Sequence, residues 1–243
     1  MPFGIIYIGN ITYKERIEMN ELENEEIKFN TICEEWLAFK KNKVKQSTYL
    51  NYKFIINKHL QSNFGDKTLE YFKSYDLNEF IDNLKQSLVN KTIRDIISVL
   101  KSILRYSERK YDMDFKLDLV SCPMIYPREI EVFNEREKQK LEKYLLSSKN
   151  LKDIGVLISL FSGLRIGEVC SLKWSNIYLE SKFIYVKYTM QRVYIGKSKT
   201  EVIVTEPKTK KSVRKIPISK ILYNKLKELS SNCSKDAYVL TRK

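Results

Sequence analysis

The sequence predicts a mainly α-helical protein that carries a small antiparallel β-sheet in its second half. Two periodicities lead to this fold class. Apolar residues recur every three or four positions in 27–110 and 134–161, and they alternate at every second position within 183–218. The first spacing is that of amphipathic helices and the second that of half-buried strands. Size is a third observation, since 243 residues with 43% hydrophobic side chains can build one large domain or two small ones.

Four helices are predicted in the first half, where short connections join them into a compact helical domain. The first occupies 27–41 and ends in lysines, and Ser47 is a suitable N-cap for the second. Asp76 and Asn90 are suitable N-caps for the third and the fourth helix. Because no proline interrupts this pattern, we assign 27–111 to a first domain.

Four basic residues share the outer face of the fourth helix, opposite its apolar stripe. Such a face can meet phosphates in or beside the major groove of duplex DNA. It is equally the ordinary polar side of an amphipathic helix. Both interpretations stay open for Lys91, Arg94, Lys101 and Arg105.

The segment 112–130 has no sustained period and contains two prolines, which predicts a linker to a second domain at 131–243. That domain begins with a helix capped by Asn134, and a helix at 151–161 follows that is apolar nearly all round. The alternating segment 183–218 predicts one antiparallel sheet of three strands, and a last helix comes after it.

The charge is distributed unevenly along the chain. The formal net charge is +14, and the part after Ile130 carries +13 of it. Residues 182–220 alone hold 11 basic and two acidic side chains, whereas residues 1–26 are rich in glutamate and stay unassigned. A basic cluster is typical of proteins that bind the phosphate backbone, although a solvated lysine-rich surface gives the same count.

The rare residue types exclude several classes of protein. Four cysteines without a CxxC pair and a single histidine do not match the usual zinc spacings, so we expect no metal or other cofactor. Reduced thiols in the cytoplasm are the expected state. The apolar runs are too short to cross a bilayer, and the N-terminus lacks the pattern of a secretory signal. We therefore expect a cytoplasmic protein with neither a membrane partner nor a small-molecule substrate.

Arg165 stands out in the segment SGLRIGEVCSLKW, at a tight junction between two predicted helices. Gly163 ends the buried helix and Gly167 lies one turn into the next. A guanidinium at such a place needs a partner. Glu168, three residues on, would give a structural ion pair, and a phosphate held by two hydrogen bonds would give a functional site.

A second segment, PKTKKSVRKIPI at 207–218, carries five basic residues within eight positions. Its place between two strand-like segments predicts a β-hairpin with a basic tip. An ordinary solvated turn is the alternative, since loop tips tolerate lysine freely.

Together, in this order and separation, the two segments resemble the conserved segments of the tyrosine recombinases, also called the phage integrase family. The helical first half is similar to the core-binding domain of that family. The resemblance covers 27–243 and implies a helical core-binding domain followed by a partial catalytic domain of the α+β type.

The resemblance also implies a role for each matching residue. Arg165 matches the first catalytic arginine, Glu168 the acidic residue that supports the site, and Lys208 the catalytic lysine. In the family the arginines bind the scissile phosphate of double-stranded DNA, the lysine protonates the departing 5′ oxygen, and a tyrosine attacks to form a 3′-phosphotyrosyl link. Full-length chains of the family act as tetramers. The candidates for contacts to flanking phosphates are Lys210, Lys211 and Arg214.

The match stops short of a complete catalytic set. The family pattern continues with a His-x-x-Arg box, a further His or Trp, and a C-terminal tyrosine, and none of these follows in the sequence. The only histidine, His59, fits the surface of the second helix. Tyr238 fits a core strand or a helix entry, so neither residue is nominated for catalysis.

We therefore expect a site-specific DNA recombination or integration protein that binds duplex DNA and, being truncated, does not cleave it alone. A non-catalytic DNA-binding module that competes for recombination sites is the alternative. A third interpretation is an RNA-binding protein, which no RNP-like aromatic cluster or GXXG loop supports.

Overall fold

A computed structural model of the chain describes residues 27–127, 129–196, 199–206, 212–230 and 233–241. These residues form two compact units. The first unit holds the chain up to residue 127 together with 194–196, and the second unit holds the remaining described residues. The predicted fold class is confirmed, because helices dominate the structure and the strands form small antiparallel sheets.

Helices make up most of residues 27–127 of the first unit. Helix α1 spans Phe29–Lys41, α2 spans Gln46–Ile55, and the chain continues through one π-helical turn at Ile56–Leu60 into α3. The remaining helices are α3 (Gln61–Phe64), α4 (Tyr71–Ser74), α5 (Leu77–Lys85) and α6 (Asn90–Tyr111), and a 3₁₀ turn follows at Leu117–Leu119.

Two of the predicted N-caps in this unit are wrong and one is confirmed. The Asp76 carboxylate accepts a hydrogen bond from the backbone N–H of Asn78 at 2.8 Å, which caps α5. Helix α2 instead begins after Lys45, so Ser47 lies inside it. Asn90 is the first residue of α6, and its side-chain amide donates to the carbonyl of Met124 at 2.9 Å. Asn90 therefore lies inside the helix, and its side chain bonds to a distant part of the chain.

One core holds the first unit together, and it extends into the segment predicted as a linker. Its side chains include the fully buried Trp36 and also Met113, Phe115 and Leu117. The Lys101 ammonium donates to the carbonyl of Val120 at 3.1 Å, which ties the same segment to α6. The first part of 112–130 therefore packs on the helical domain, whereas the domain boundaries themselves stay a prediction.

The second unit begins with three helices, α7 (Glu135–Ser147), α8 (Leu151–Ser162) and α9 (Ile166–Cys170). The predicted cap at Asn134 is confirmed. Its side chain accepts from the N–H of Glu137 at 3.0 Å, and the Glu137 carboxylate accepts from the N–H of Asn134 at 2.9 Å. Reciprocal bonds of this kind satisfy two donors that a helix start otherwise leaves unpaired. The last helix is α10 (Lys220–Ser230).

Within the described residues, five strands form two sheets, which corrects the prediction of one three-stranded sheet. Strand β1 (Ile177–Tyr178) pairs antiparallel with β2 (Phe183–Val186), and β2 pairs antiparallel with β5 (Arg214–Pro217). Strands β3 (Thr189–Gly196) and β4 (Lys199–Thr205) form a separate two-stranded sheet. Since β4 and β5 belong to different sheets, the predicted hairpin at 207–218 does not form between them. Its basic tip, 207–211, lies outside the described residues.

The core of the second unit joins α8 and α10 to the sheet of β1, β2 and β5. Ile158, Ile184 and Leu222 are fully buried within it. The chain near Tyr238 closes this core, because Tyr238 pairs with Lys173 as an isolated antiparallel bridge and Val239 is buried. None of the described helices is long and apolar enough to cross a lipid bilayer.

Candidate functional site

Arg165 lies where the chain turns from α8 into α9. Gly163 ends α8 with a φ of +65°, a backbone conformation that glycine adopts without strain. Leu164 is buried in the core of the second unit and anchors the turn. Arg165 is then the N-cap residue of α9, and 78% of its side chain is exposed. The fold thus fixes the backbone of Arg165 and leaves its guanidinium to solvent.

Glu168 is the buried counterpart of this arginine, with only 4% of its side chain exposed. Its carboxylate accepts the backbone N–H of Arg165 at 2.9 Å. It also accepts two parallel hydrogen bonds from Arg214, Nη1 to Oε1 and Nη2 to Oε2, each at 2.9 Å. Paired bonds of this geometry are among the strongest contacts between charged side chains. The carboxylate is therefore held from two directions.

The side chains of Arg165 and Glu168 form only a longer contact, with 3.5 Å between Nη1 and Oε1. The structural ion pair that the sequence left open therefore exists, but Arg214 is the principal partner of Glu168. Arg214 is 30% exposed, and its Nη1 also donates to the carbonyl of Ser212 at 3.1 Å. These bonds use three of the five N–H groups of Arg214, and its contact with a flanking phosphate stays a prediction.

The Arg214 guanidinium holds the pKa of the Glu168 carboxyl below its ordinary value, chiefly through the two hydrogen bonds. Burial acts in the opposite direction, and the backbone N–H of Arg165 and the two positive charges reinforce the lowering. The same pair raises the pKa of Arg214. Glu168 is therefore an anion at neutral pH, and it partly offsets the positive charge of the two arginines.

The lowered pKa of Glu168 predicts how the stability of the second unit depends on pH. Because the folded-state pKa lies below the unfolded-state value near 4.5, the stabilisation is complete above that value and is lost as the pH falls through the folded-state pKa. We expect the difference in unfolding free energy between the wild type and Glu168→Gln to be constant from pH 7 to pH 5. It should then shrink toward pH 3. Urea titrations at each pH measure it, and a difference independent of pH would contradict the assignment.

Gly167 lets α9 approach the start of β3 closely. A Cβ atom at this position would lie 2.5 Å from Oγ1 of Thr189 and 2.7 Å from the carbonyl oxygen of Met190. The end of α9 is fixed by Ser171, whose hydroxyl donates to the carbonyl of Tyr188 at 2.7 Å. The element that presents Arg165 is therefore held by contacts at both of its ends.

Replacing Gly167 with alanine is expected to destabilise the second unit by about 1–3 kcal/mol, because the added methyl group overfills the contact. In an open helix the same change would stabilise by up to about 1 kcal/mol, so the sign of the effect is diagnostic. Thermal or urea unfolding measures it. Ile166→Ala is the control, since Ile166 is an exposed neighbour on the same helix and should change stability little. A stabilised Gly167→Ala variant would show that the contact is loose.

The other predicted site residues fall into three groups. Lys208, Lys210 and Lys211 lie outside the described residues. Along α6, the side chains of Lys91, Arg94 and Arg105 are exposed, as a surface for phosphates requires. Lys101 is the exception.

The hydrogen bond from Lys101 to the carbonyl of Val120 gives that lysine a structural role, and its contact with phosphate stays a prediction. His59 is part of the π-helical turn, and its ring lies edge-on to Phe54 at 6.3 Å between centroids. Tyr238 pairs with Lys173 at the edge of the core, as the prediction of a core strand implies.

Comparisons with known proteins agree with this architecture. The family model of the phage integrase N-terminal SAM-like domain matches residues 28–85, and the model of the phage integrase family matches residues 125–243. A tyrosine recombinase XerC-like protein of Caldanaerobacter subterraneus is 29% identical over 76% of this chain and 50% of its own length. The ICEBs1 integrase of Bacillus subtilis is 24% identical over 95% of this chain and 65% of its own length. The chain therefore spans between half and two thirds of these relatives.

Solved structures show the same fold. The Tn1549 transposon integrase in complex with a circular intermediate DNA superimposes with a TM-score of 0.65 at 21% identity, over 86% of this chain and 66% of that one. A lambda integrase tetramer bound to a Holliday junction gives a TM-score of 0.58 at 13% identity, over 96% of this chain and 76% of that one. With the two matching domain descriptions in the order that the fold shows, the chain belongs to the tyrosine recombinase, or phage integrase, family.

Proposed function

We propose that this chain binds duplex DNA at a recombination site and supplies one part of a tyrosine recombinase active site. One observation carries the proposal. The guanidinium of Arg165 is exposed, while its backbone is fixed by Glu168 and, through Glu168, by Arg214. Among the described residues, the guanidinium of Arg165 has one side-chain contact, the 3.5 Å approach to Glu168, and most of it is exposed, so it is suited to an anionic ligand that comes from outside.

The chemistry of phosphoryl transfer explains why such an arginine matters. Negative charge develops on the non-bridging oxygens as the scissile phosphate is attacked, and a fixed guanidinium stabilises that charge through two hydrogen bonds. In this proposal Arg165 binds the scissile phosphate. Lys208 would protonate the departing 5′ oxygen. Neighbouring cations lower the pKa of a lysine and therefore favour this proton transfer.

Glu168 and Arg214 act through Arg165 in this scheme. The buried carboxylate accepts the N–H of Arg165, so the turn that presents the guanidinium cannot move without breaking a charged hydrogen bond. Arg214 neutralises the carboxylate, which would otherwise be drawn to Arg165 and compete with the phosphate. We therefore assign both residues a positioning role rather than contact with DNA.

The catalytic set in this chain is partial. The single histidine, His59, lies in the helical unit and is not followed by the x-x-Arg of the family box. Tyr238 pairs with Lys173 at the core, where its backbone is not free to approach a phosphate. The proposal is therefore that the chain binds DNA without forming a phosphotyrosyl bond by itself.

A nicked suicide substrate tests both halves of this proposal. A duplex that the chain binds is first selected from a pool of randomised sequences. A series of substrates is then made from it, each with a single nick at a different position. We expect a retarded band in native gels and no adduct that survives denaturation, with Tyr238→Phe identical to the wild type. A covalent adduct would overturn the claim of partial catalysis, and failure to select any duplex would overturn the claim of binding.

The same observations fit a second role, in which the chain competes with a complete recombinase for its sites. Competition needs only phosphate-binding cations, and the described part of the chain exposes these on α6 and at Arg165. If this is so, adding the chain to a reaction of a complete enzyme on the selected duplex should lower the recombination rate in proportion to occupancy. An unchanged recombination rate at a saturating concentration of the chain would exclude this role.

A further inference from the structure

A groove on the first unit combines aromatic and basic side chains. It lies between the C-terminal half of α1 and the C-terminal half of α6, and it has a volume of about 390 Å³. Four of the described residues that line it are basic and three are aromatic, and none is acidic. They are Trp36, Phe39, Lys40, Ser102, Arg105, Tyr106, Arg109 and Lys110.

Phe39 forms an exposed apolar wall of this groove, with 44% of its surface open to solvent. Cations crowd this ring, since Nζ of Lys43 lies 3.4 Å and Nζ of Lys40 lies 5.7 Å from its centroid. Of the four basic residues in the lining, Lys110 has a described ion pair, with Glu35 at 2.7 Å. The groove therefore offers an apolar floor with an excess of positive charge around it.

The chain itself carries a segment of complementary chemistry. Residues 17–26, which precede α1, contain five glutamates and no lysine or arginine, together with Ile17, Met19 and Leu22. A ligand with several carboxylates and a few apolar side chains is what an aromatic groove with basic walls would bind. We propose that residues 17–26 dock in this groove on their own chain.

The tether makes the contact reachable. Along α1, Phe39 lies about 15 Å from Phe29, because each helical residue rises about 1.5 Å. Ten residues in extended conformation span up to about 33 Å, so 17–26 can run back along α1 to the groove. Exposed ion pairs are weak one by one, but a short tether raises the local concentration of the segment to roughly millimolar. Intramolecular docking is thus favoured over binding of a separate acidic peptide.

The docked segment would meet Arg105, which is also one of the cations proposed to contact DNA. Acidic side chains and duplex phosphates then compete for the same arginine. In this arrangement the segment weakens DNA binding until enough phosphates engage the rest of the surface.

Zero-length carbodiimide crosslinking of the full chain without DNA tests the docking, because this reagent joins a carboxylate to a lysine only in direct contact. The Glu35–Lys110 ion pair serves as the internal positive control. We expect additional crosslinks from glutamates of 17–26 to Lys40 or Lys110. Replacing both Arg105 and Arg109 with glutamine should lower their yield at least about threefold, since two cations of the groove are lost. The matched control is Lys91→Gln with Arg94→Gln, two exposed cations of the same helix outside the groove, which should leave the yield unchanged.

Three outcomes would overturn the proposal. The first is a Glu35–Lys110 crosslink without any crosslink from 17–26 to the groove lysines. The second is crosslinks that join two copies, detected with a mixture of ¹⁴N- and ¹⁵N-labelled chains. The third is shielding of Arg105 and Arg109 from phenylglyoxal only when duplex DNA is added, which would assign the groove to nucleic acid.

Discussion

Replacing Glu168 with alanine is expected to lower the unfolding free energy of the second unit by about 3 kcal/mol. Removing one partner of a buried ion pair costs about 3–5 kcal/mol, because the remaining charge is left without compensation. Arg214 keeps 30% of its side chain exposed, so water recovers part of that cost and the lower end of the range applies. The backbone N–H of Arg165 loses its acceptor as well.

Fluorescence of Trp174 during urea unfolding measures this effect. Trp174 packs against the core of the second unit, and a Trp36→Phe background removes the signal of the first unit, because the chain has two tryptophans. Arg214→Gln should cost a similar amount. The control is Arg165→Gln, which should cost less than about 1 kcal/mol because its side chain is largely exposed. Equal losses for the two arginine variants would show that Arg165 is the structural partner of Glu168.

Much of the helical architecture could be predicted from the sequence, because it depends on local patterns. The apolar stripe of α6 and the capping residues Asp76 and Asn134 act over two to seven positions, and the structure confirms them. The predicted caps at Ser47 and Asn90 are wrong, and for Asn90 the structure shows where the side chain is used instead. A side chain that can cap a helix can also be used elsewhere, and Asn90 bonds to Met124, 34 residues away.

The sheets and the site depended on contacts that no local pattern encodes. Alternation of apolar residues identifies a strand but not its partner, so β5 was assigned to a hairpin rather than to β2. In the same way, Arg214 is 46 residues away from Glu168 in the sequence. The basic segment 207–218 does not indicate which of its lysines and arginines forms a structural ion pair. One signal was available. Arg214 and Ile216 are two residues apart in β5 and so share one face of the strand, and because Ile216 packs against the core, a cation on that face needs an anion nearby.

The affinity for duplex DNA is expected to fall by about three orders of magnitude when salt rises from 50 to 200 mM. Each phosphate that a protein neutralises contributes about −0.9 to the slope of log affinity against log salt, and six contacts give a slope near −5. Six cations are proposed to contact phosphates once Lys101 and Arg214 are assigned to structural bonds and Lys208 to the departing 5′ oxygen. These six are Lys91, Arg94, Arg105, Arg165, Lys210 and Lys211.

Charge-neutralising variants separate the contacting cations from the structural ones. Replacing Lys91 and Arg94 together with glutamine should make the slope shallower by about 1.8, because two phosphate contacts are lost. Lys101→Gln should leave the slope unchanged and instead weaken the packing of the segment at Val120. The matched control is Lys138→Gln with Lys143→Gln, since both lysines are exposed on α7 of the second unit. If the α6 pair and the α7 pair changed the slope equally, the charge on α6 would be a solvated surface rather than a DNA contact, because only specific contacts depend on position.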